Sequence, residues 1–116
     1  MQIPVEITLR DIPHSDAVET RIREKLAKLD HFHERIMSCR VTVESPQHRK
    51  HQGKLYSVHI DMKVPGGGEL VANRGQDEDI YVAIRDAFSA ATRQLEDYVR
   101  RQRGDVKTHD VPTSGA

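Results

Sequence analysis

The sequence contains one cysteine, Cys39, so no internal disulfide can form, which fits a reducing cytoplasm. It contains no apolar run of membrane-spanning length, and its first ten residues alternate polar and apolar side chains with no apolar signal core. It has no excess of either charge. Lys plus Arg is 18 and Asp plus Glu is 18, so the net charge is zero. That balance argues against bulk attraction to a polyanion and leaves open how charge is distributed. No internal repeat, nucleophile elbow or phosphate loop is present. Gly66-Gly67-Gly68 joins two apolar stretches and opens no helix, so it reads as a hairpin turn. A soluble, cytoplasmic, non-enzymatic domain with no cofactor is expected. A chain of 116 residues is long enough for one domain with a core of its own.

What is present is organised around 77–103. Ile80, Ile84, Ala87, Phe88, Ala91, Leu95, Tyr98 and Val99 recur at spacings of three and four, one face of a helix turning about 100° per residue. Arg85, Arg93, Arg100 and Arg103 fall within an arc on the opposite side. Asp77, Glu78 and Asp79 complement the positive end of the helix dipole, with Asp77 as the expected cap. Arg100, Arg101 and Arg103 suit the negative end, and Gly104 supplies a stop.

Elsewhere the pattern alternates. Residues 3–10, 39–44 and 56–64 read as strands, and 69–73 as a short fourth strand leading through 74–76 into the long helix. Ser15 or Asp16 caps an earlier helix, with Glu19 placed for a capping box on Asp16, and Val18, Ile22, Leu26, Leu29 and Phe32 on its apolar face. The order is β-α-β-β-β-α. An α+β fold follows: a four-stranded sheet, the first two strands parallel, both helices packed on one sheet face and the other face wet. Residues 1–104 form the domain and 105–116 a mobile tail.

Three kinds of chemistry are on offer. His48, His51 and His59 suggest a metal site, but Arg49, Lys50 and Lys54 would repel a cation, so a solvated basic loop is the expectation and no metal is assigned. Cys39 lies on the inward phase of its strand and reads as a small core residue. The basic positions are the better candidate. Arg21, Lys25 and Lys28 share one flank of the first helix. With the arginines of the second they would form one basic surface suited to phosphates, if the helices are neighbours. The competing reading is a solvated face laced with pairs such as Arg93–Asp97 or Glu96–Arg100, and the pattern alone leaves both open.

Three stretches together are similar to the ribosome hibernation-promoting factor family, also called sigma-54 modulation proteins. Lys25-Leu26-Ala27-Lys28-Leu29 resembles a family core motif. Asp79-Ile80-Tyr81-Val82-Ala83-Ile84 resembles its D-M-Y-A-A-I signature, with Ile80 in place of Met. Arg93-Gln94-Leu95 resembles its R-Q-L. The resemblance covers about residues 2–103. It implies binding to ribosomal RNA of the small subunit between head and body, across the paths of tRNA and mRNA, and inhibition of translation in stress or stationary phase. On it, Lys25, Lys28 and Arg93 carry over from matching motifs. Arg21, Arg85, Arg100, Arg101 and Arg103 join them by helix phase.

The chain departs from the family in carrying Glu96 and Asp97 where the second helix is often richer in lysine. Long members continue into a second domain that pairs ribosomes, an activity not expected here, and a monomer is the expectation. The fold order is also like that of the double-stranded-RNA-binding domain. That domain has lysines at the start of its last helix, where this chain has Asp77, Glu78 and Asp79, so duplex-groove recognition is not expected. The alternative function is a protein–protein module on the exposed sheet face, with Arg40 and Lys63 as its contacts.

Overall fold

Alternating apolar residues along four stretches build one sheet, and two amphipathic stretches cover one of its faces. The computed structural model describes residues 3–32, 35–45 and 55–102, the side chains of Phe32 and Arg74 excepted. The elements are β1 (Val5–Arg10), α1 (Asp16–Phe32), β2 (Ser38–Glu44), β3 (Tyr56–Val64), β4 (Gly68–Asp77) and α2 (Ile80–Gln102). Their order in the sheet is β1-β2-β3-β4. β1 and β2 are parallel, with Ile7 opposite Val41, and the other neighbours are antiparallel. The expected α+β order and pairing are therefore present. The stretch carrying His48 and His51, expected as a basic loop, lies outside the described residues, as do Arg103 and residues 105–116.

The core lies between the sheet and both helices. Val41, Val43, Val58, Ile60, Met62 and Val64 point into it from the strands. Ile22, Leu26 and Leu29 enter from α1, and Ile84, Phe88 and Leu95 from α2. Each such side chain contributes about 1.5–3 kcal/mol by leaving water. Val5, Ile7 and Leu9 are only half-buried because β1 is an edge strand. On the other face Arg40 and Lys63 are exposed, and Thr8, Thr42 and His59 are half-buried.

β4 is twice as long as expected, running on through 74–77. Val58 pairs with Gly75 but Ile60 with Ala72, so two residues of β4 oppose His59. This bulge shifts the side-chain phase. Leu70 and Ala72 face the core, and the next inward place falls to Gly75 instead of position 74. Gly75 is buried against α2. A Cβ there would overlap the Ala83 carbonyl oxygen and lie 2.7 Å from the Ala87 Cβ. The absent side chain lets α2 sit directly on the strand.

The helix starts are corrected in the same region. α2 begins at Ile80, and its cap is Asp79, whose Oδ1 accepts the Tyr81 N–H at 2.9 Å. Asp77, expected as the cap, ends β4 and accepts the Asp79 N–H at 2.8 Å. At α1, Ser15 is the cap, its Oγ accepting the Val18 N–H at 3.3 Å. Val18 stands three residues on from that cap, so Glu19 completes no box; it pairs with Arg23 at 3.0 Å. The hairpin after β3 is as expected, with Gly66 and Gly67 at φ of 88° and 81°. Near the far end of α2 the Tyr98 hydroxyl donates to the Pro65 carbonyl at 3.2 Å, tying the helix to this hairpin.

Replacing Gly75 by Ala should cost about 1–3 kcal/mol by overpacking. A urea titration should show the midpoint falling with little change in slope. An unchanged midpoint would contradict the close seat of α2 on β4.

Candidate nucleic-acid interface

The two helices run in the same direction across the sheet, and a groove lies between them. Its cavity, about 460 Å³, is lined by Lys25, Lys28 and Leu29 of α1 and by Arg85, Phe88, Ser89, Thr92 and Glu96 of α2. The floor is apolar, from Leu29 and Phe88, and the rim is polar. Thr92 turns its hydroxyl back to the Phe88 carbonyl at 2.8 Å. A second hollow of about 200 Å³ shares both lysines and adds Arg21 and Glu24. At this end Arg21 crosses to α2, its guanidinium carbon 5.2 Å from the centre of the Tyr81 ring.

Four of the sequence-derived positions, Arg21, Lys25, Lys28 and Arg85, therefore converge. Arg93 and Arg100 are exposed on the outer surface of α2 beside the groove, within the arc that also holds Ser89 and Glu96. Arg101 lies apart. It shares the flank of Gln94, whose amide donates to the Val71 carbonyl of β4 at 2.7 Å, on the side away from α1. Arg103 is outside the described residues. Phe88 was read from the sequence only as a core residue and Tyr81 only as part of a motif, and Ser89 and Thr92 were not singled out. Their polar or aromatic character is common on helices, and only the placement of α1 makes them neighbours of the lysines.

Three of the arginines differ from the lysines in pairing. Arg85 donates through Nε and Nη2 to Asp86 at 3.1 Å. Arg100 pairs with Asp97 at 3.0 Å, not with Glu96, and Arg21 approaches Glu24 at 3.5 Å. Lys25, Lys28 and Arg93 have no ion pair among the described residues. These are the three positions carried over by motif. Glu96 is the acid on the groove wall, and the cations around it outnumber the acids locally although the whole chain is neutral.

Residues 5–103 match the sequence profile of the sigma 54 modulation protein / S30EA ribosomal protein family. The chain belongs to this family. It is 27% identical over 115 residues to the ribosome hibernation promotion factor of Deinococcus radiodurans, an alignment covering 97% of this chain and 58% of that protein. The chain thus spans little more than half the length of that relative. Its fold is similar to the N-terminal domain of Thermus thermophilus Protein Y, with a TM-score of 0.66 and 24% identity over 84% of this chain and 99% of that one. It is also similar to a ribosomal subunit interface protein from Coxiella burnetii, with a TM-score of 0.66 and 18% identity over 83% and 97% of the two chains. At these identities the two structures establish the fold alone.

Other clusters in this member of the sigma 54 modulation protein / S30EA family offer less. His59 faces Glu44 across the open sheet at 3.3 Å, and its proposed companions His48 and His51 lie outside the described residues. His14, Asp16 and Glu19 bring ligand-type atoms within 4.8 Å of one another. They stand at the start of α1, where the helix dipole opposes a cation. Cys39 is buried. Desolvation, then the nearby Asp61 carboxylate, push its thiol up to about 12 from its ordinary value near 9.

The Cys39 thiol therefore stays protonated in the folded state at pH 8 and is no nucleophile. Because its folded value is raised, the stability it confers is full below about pH 9 and is lost as pH climbs toward 12. A thiol reagent at pH 8 should label Cys39 slowly in buffer and at once in denaturant. Equal rates in both would contradict the buried position.

Proposed function

We propose that this chain binds the small ribosomal subunit through the α1–α2 groove and holds it out of translation. On this reading it occupies the cleft between head and body, across the paths of tRNA and mRNA, in stress or stationary phase. It carries out no chemical step, takes no cofactor, acts as a monomer in the cytoplasm, and uses residues 1–104 as its binding domain. The observation that carries the reading is the set Lys25, Lys28 and Arg93, cations with no ion pair among the described residues on or beside one groove. An ammonium or guanidinium without an acid partner is available to a phosphate at no cost of breaking a pair.

Family membership and the name of the Deinococcus relative support the ribosome as partner. The acids on α2 support recognition of a folded RNA surface over loose coating of any polyanion. The open sheet face is the weaker candidate for a docking surface. There Arg40 is engaged by Glu6 at 3.2 Å and Arg10 by Glu44 at 3.8 Å, which leaves Lys63 as the one of these three cations without an ion pair among the described residues. No helix among the described residues is long and apolar enough to cross a membrane.

The test is co-sedimentation of the chain with purified small subunits over a salt series. Binding should weaken steadily as salt rises, because phosphate contacts release counterions. Changing Lys25, Lys28 and Arg93 together to Ala should weaken binding and flatten the logarithmic salt slope by roughly two to three. Changing Arg40 and Lys63 to Glu should leave both unaltered. The reverse pattern would move the interface to the sheet.

A further inference from the structure

We propose that Arg21 and Tyr81 form a stacking platform for one unpaired base of the RNA that this groove binds. The proposal rests on the small-subunit reading above and adds a contact to a base where that reading supplies contacts to phosphate. The lysines explain affinity for a backbone but leave Tyr81 unexplained. It is one of four large apolar side chains exposed among the described residues, with 37% of its surface open, and it stands over the seam between the helices.

Its position is fixed from both sides. The Tyr81 N–H is held by the Asp79 carboxylate at 2.9 Å, which pins the first turn of α2. The Arg21 guanidinium lies 5.2 Å from the ring centre, with its Nε 3.5 Å from Glu24. A planar cation that lines the hollow of Lys25 and Lys28 is thus held beside an aromatic ring before any ligand arrives. Unstacked RNA bases are bound in this way, on aromatic rings or guanidinium planes.

The surrounding charge selects which part of a nucleotide fits. Glu78 and Asp79, three and two residues before Tyr81, are exposed and repel a phosphate there. Lys25 and Lys28, about one turn and two turns beyond Arg21 on α1, attract one. A nucleotide therefore sits with its uncharged base at the Tyr81 end and its phosphate toward the lysines. Duplex RNA presents no free base face, so the partner at this point is a loop, bulge or single-stranded segment.

Tyr81→Leu and Tyr81→Phe in the full chain, titrated into purified small subunits across a salt series, test this. Tyr81→Phe keeps the ring and should bind within about twofold of the unaltered chain. Tyr81→Leu should bind roughly fivefold to a hundredfold more weakly with its salt slope unchanged, since stacking releases no counterions. Thermal midpoints of the two variants should agree, which separates a lost contact from a loosened fold. Equal binding by Tyr81→Leu, equal weakness of both variants, or a loss matched by a lower midpoint in Tyr81→Leu would overturn the platform. Failure of the unaltered chain to bind subunits at low salt would overturn the parent reading instead, and is seen before any variant is compared.

Discussion

The close contact of α2 with β4 at Gly75 governs what the rest of the molecule can present. A helix laid on a sheet is usually held off by a layer of side chains, about 10 Å deep between axes. Here the bulge brings Gly75 to the inner face, and Ala83 and Ala87 meet it from the helix with almost nothing between. Such a contact sets the rotation of α2 about its own axis. Ile84, Phe88, Ala91 and Leu95 are directed inward, and Arg85, Ser89 and Glu96 are left beside α1. A rotation of one residue, 100°, would take Arg85 out of the groove. The packing of the core and the composition of the basic surface are consequences of the same seat.

The electrostatics of that surface are local. A chain with equal numbers of acids and bases has no long-range pull on RNA, and salt at physiological strength screens what remains beyond about 8 Å. Binding by such a chain depends on where cations without acid partners lie. Three of the arginines are drawn to acids one or three residues away in sequence, which dilutes them without removing them, since exposed pairs are worth little. Lys25 and Lys28 make no ion pair among the described residues, although Glu24 lines the same hollow. On the proposed reading the acids are a selectivity device: they weaken adhesion to RNA in general and leave affinity for a surface that matches the groove.

Much of this was legible in the residues. Period two and period 3.6 were clean enough to give each of the six elements, and helix phase alone put Arg21, Lys25 and Lys28 on one flank of α1. The second half of β4 was not legible, because 74–77 reads Arg-Gly-Gln-Asp, with no apolar residue to mark a strand. The mark was Gly75 itself, since a glycine inside a strand signals a bulge or a close approach. The cap moved from Asp77 to Asp79 for the same reason, the strand having consumed the residues assigned to the helix start. Arg101 was grouped with the other cations for its place at the helix end, but its phase puts it beside Gln94, toward β4. Pairing was also beyond the sequence. Arg100 has acids at three and four residues' distance, and only the folded side chains decide for Asp97.

The central claim is that the face meeting the ribosome is the groove between the helices and not the open sheet. Lysine acetylation of the chain, free and bound to purified small subunits, reads this directly by mass spectrometry. Lys25 and Lys28 lie on the groove, and Lys63 is exposed on the sheet. The account predicts that subunits protect Lys25 and Lys28 from acetylation and leave Lys63 as reactive as in the free chain. Protection of Lys63 with continued labelling of Lys25 and Lys28 would contradict it.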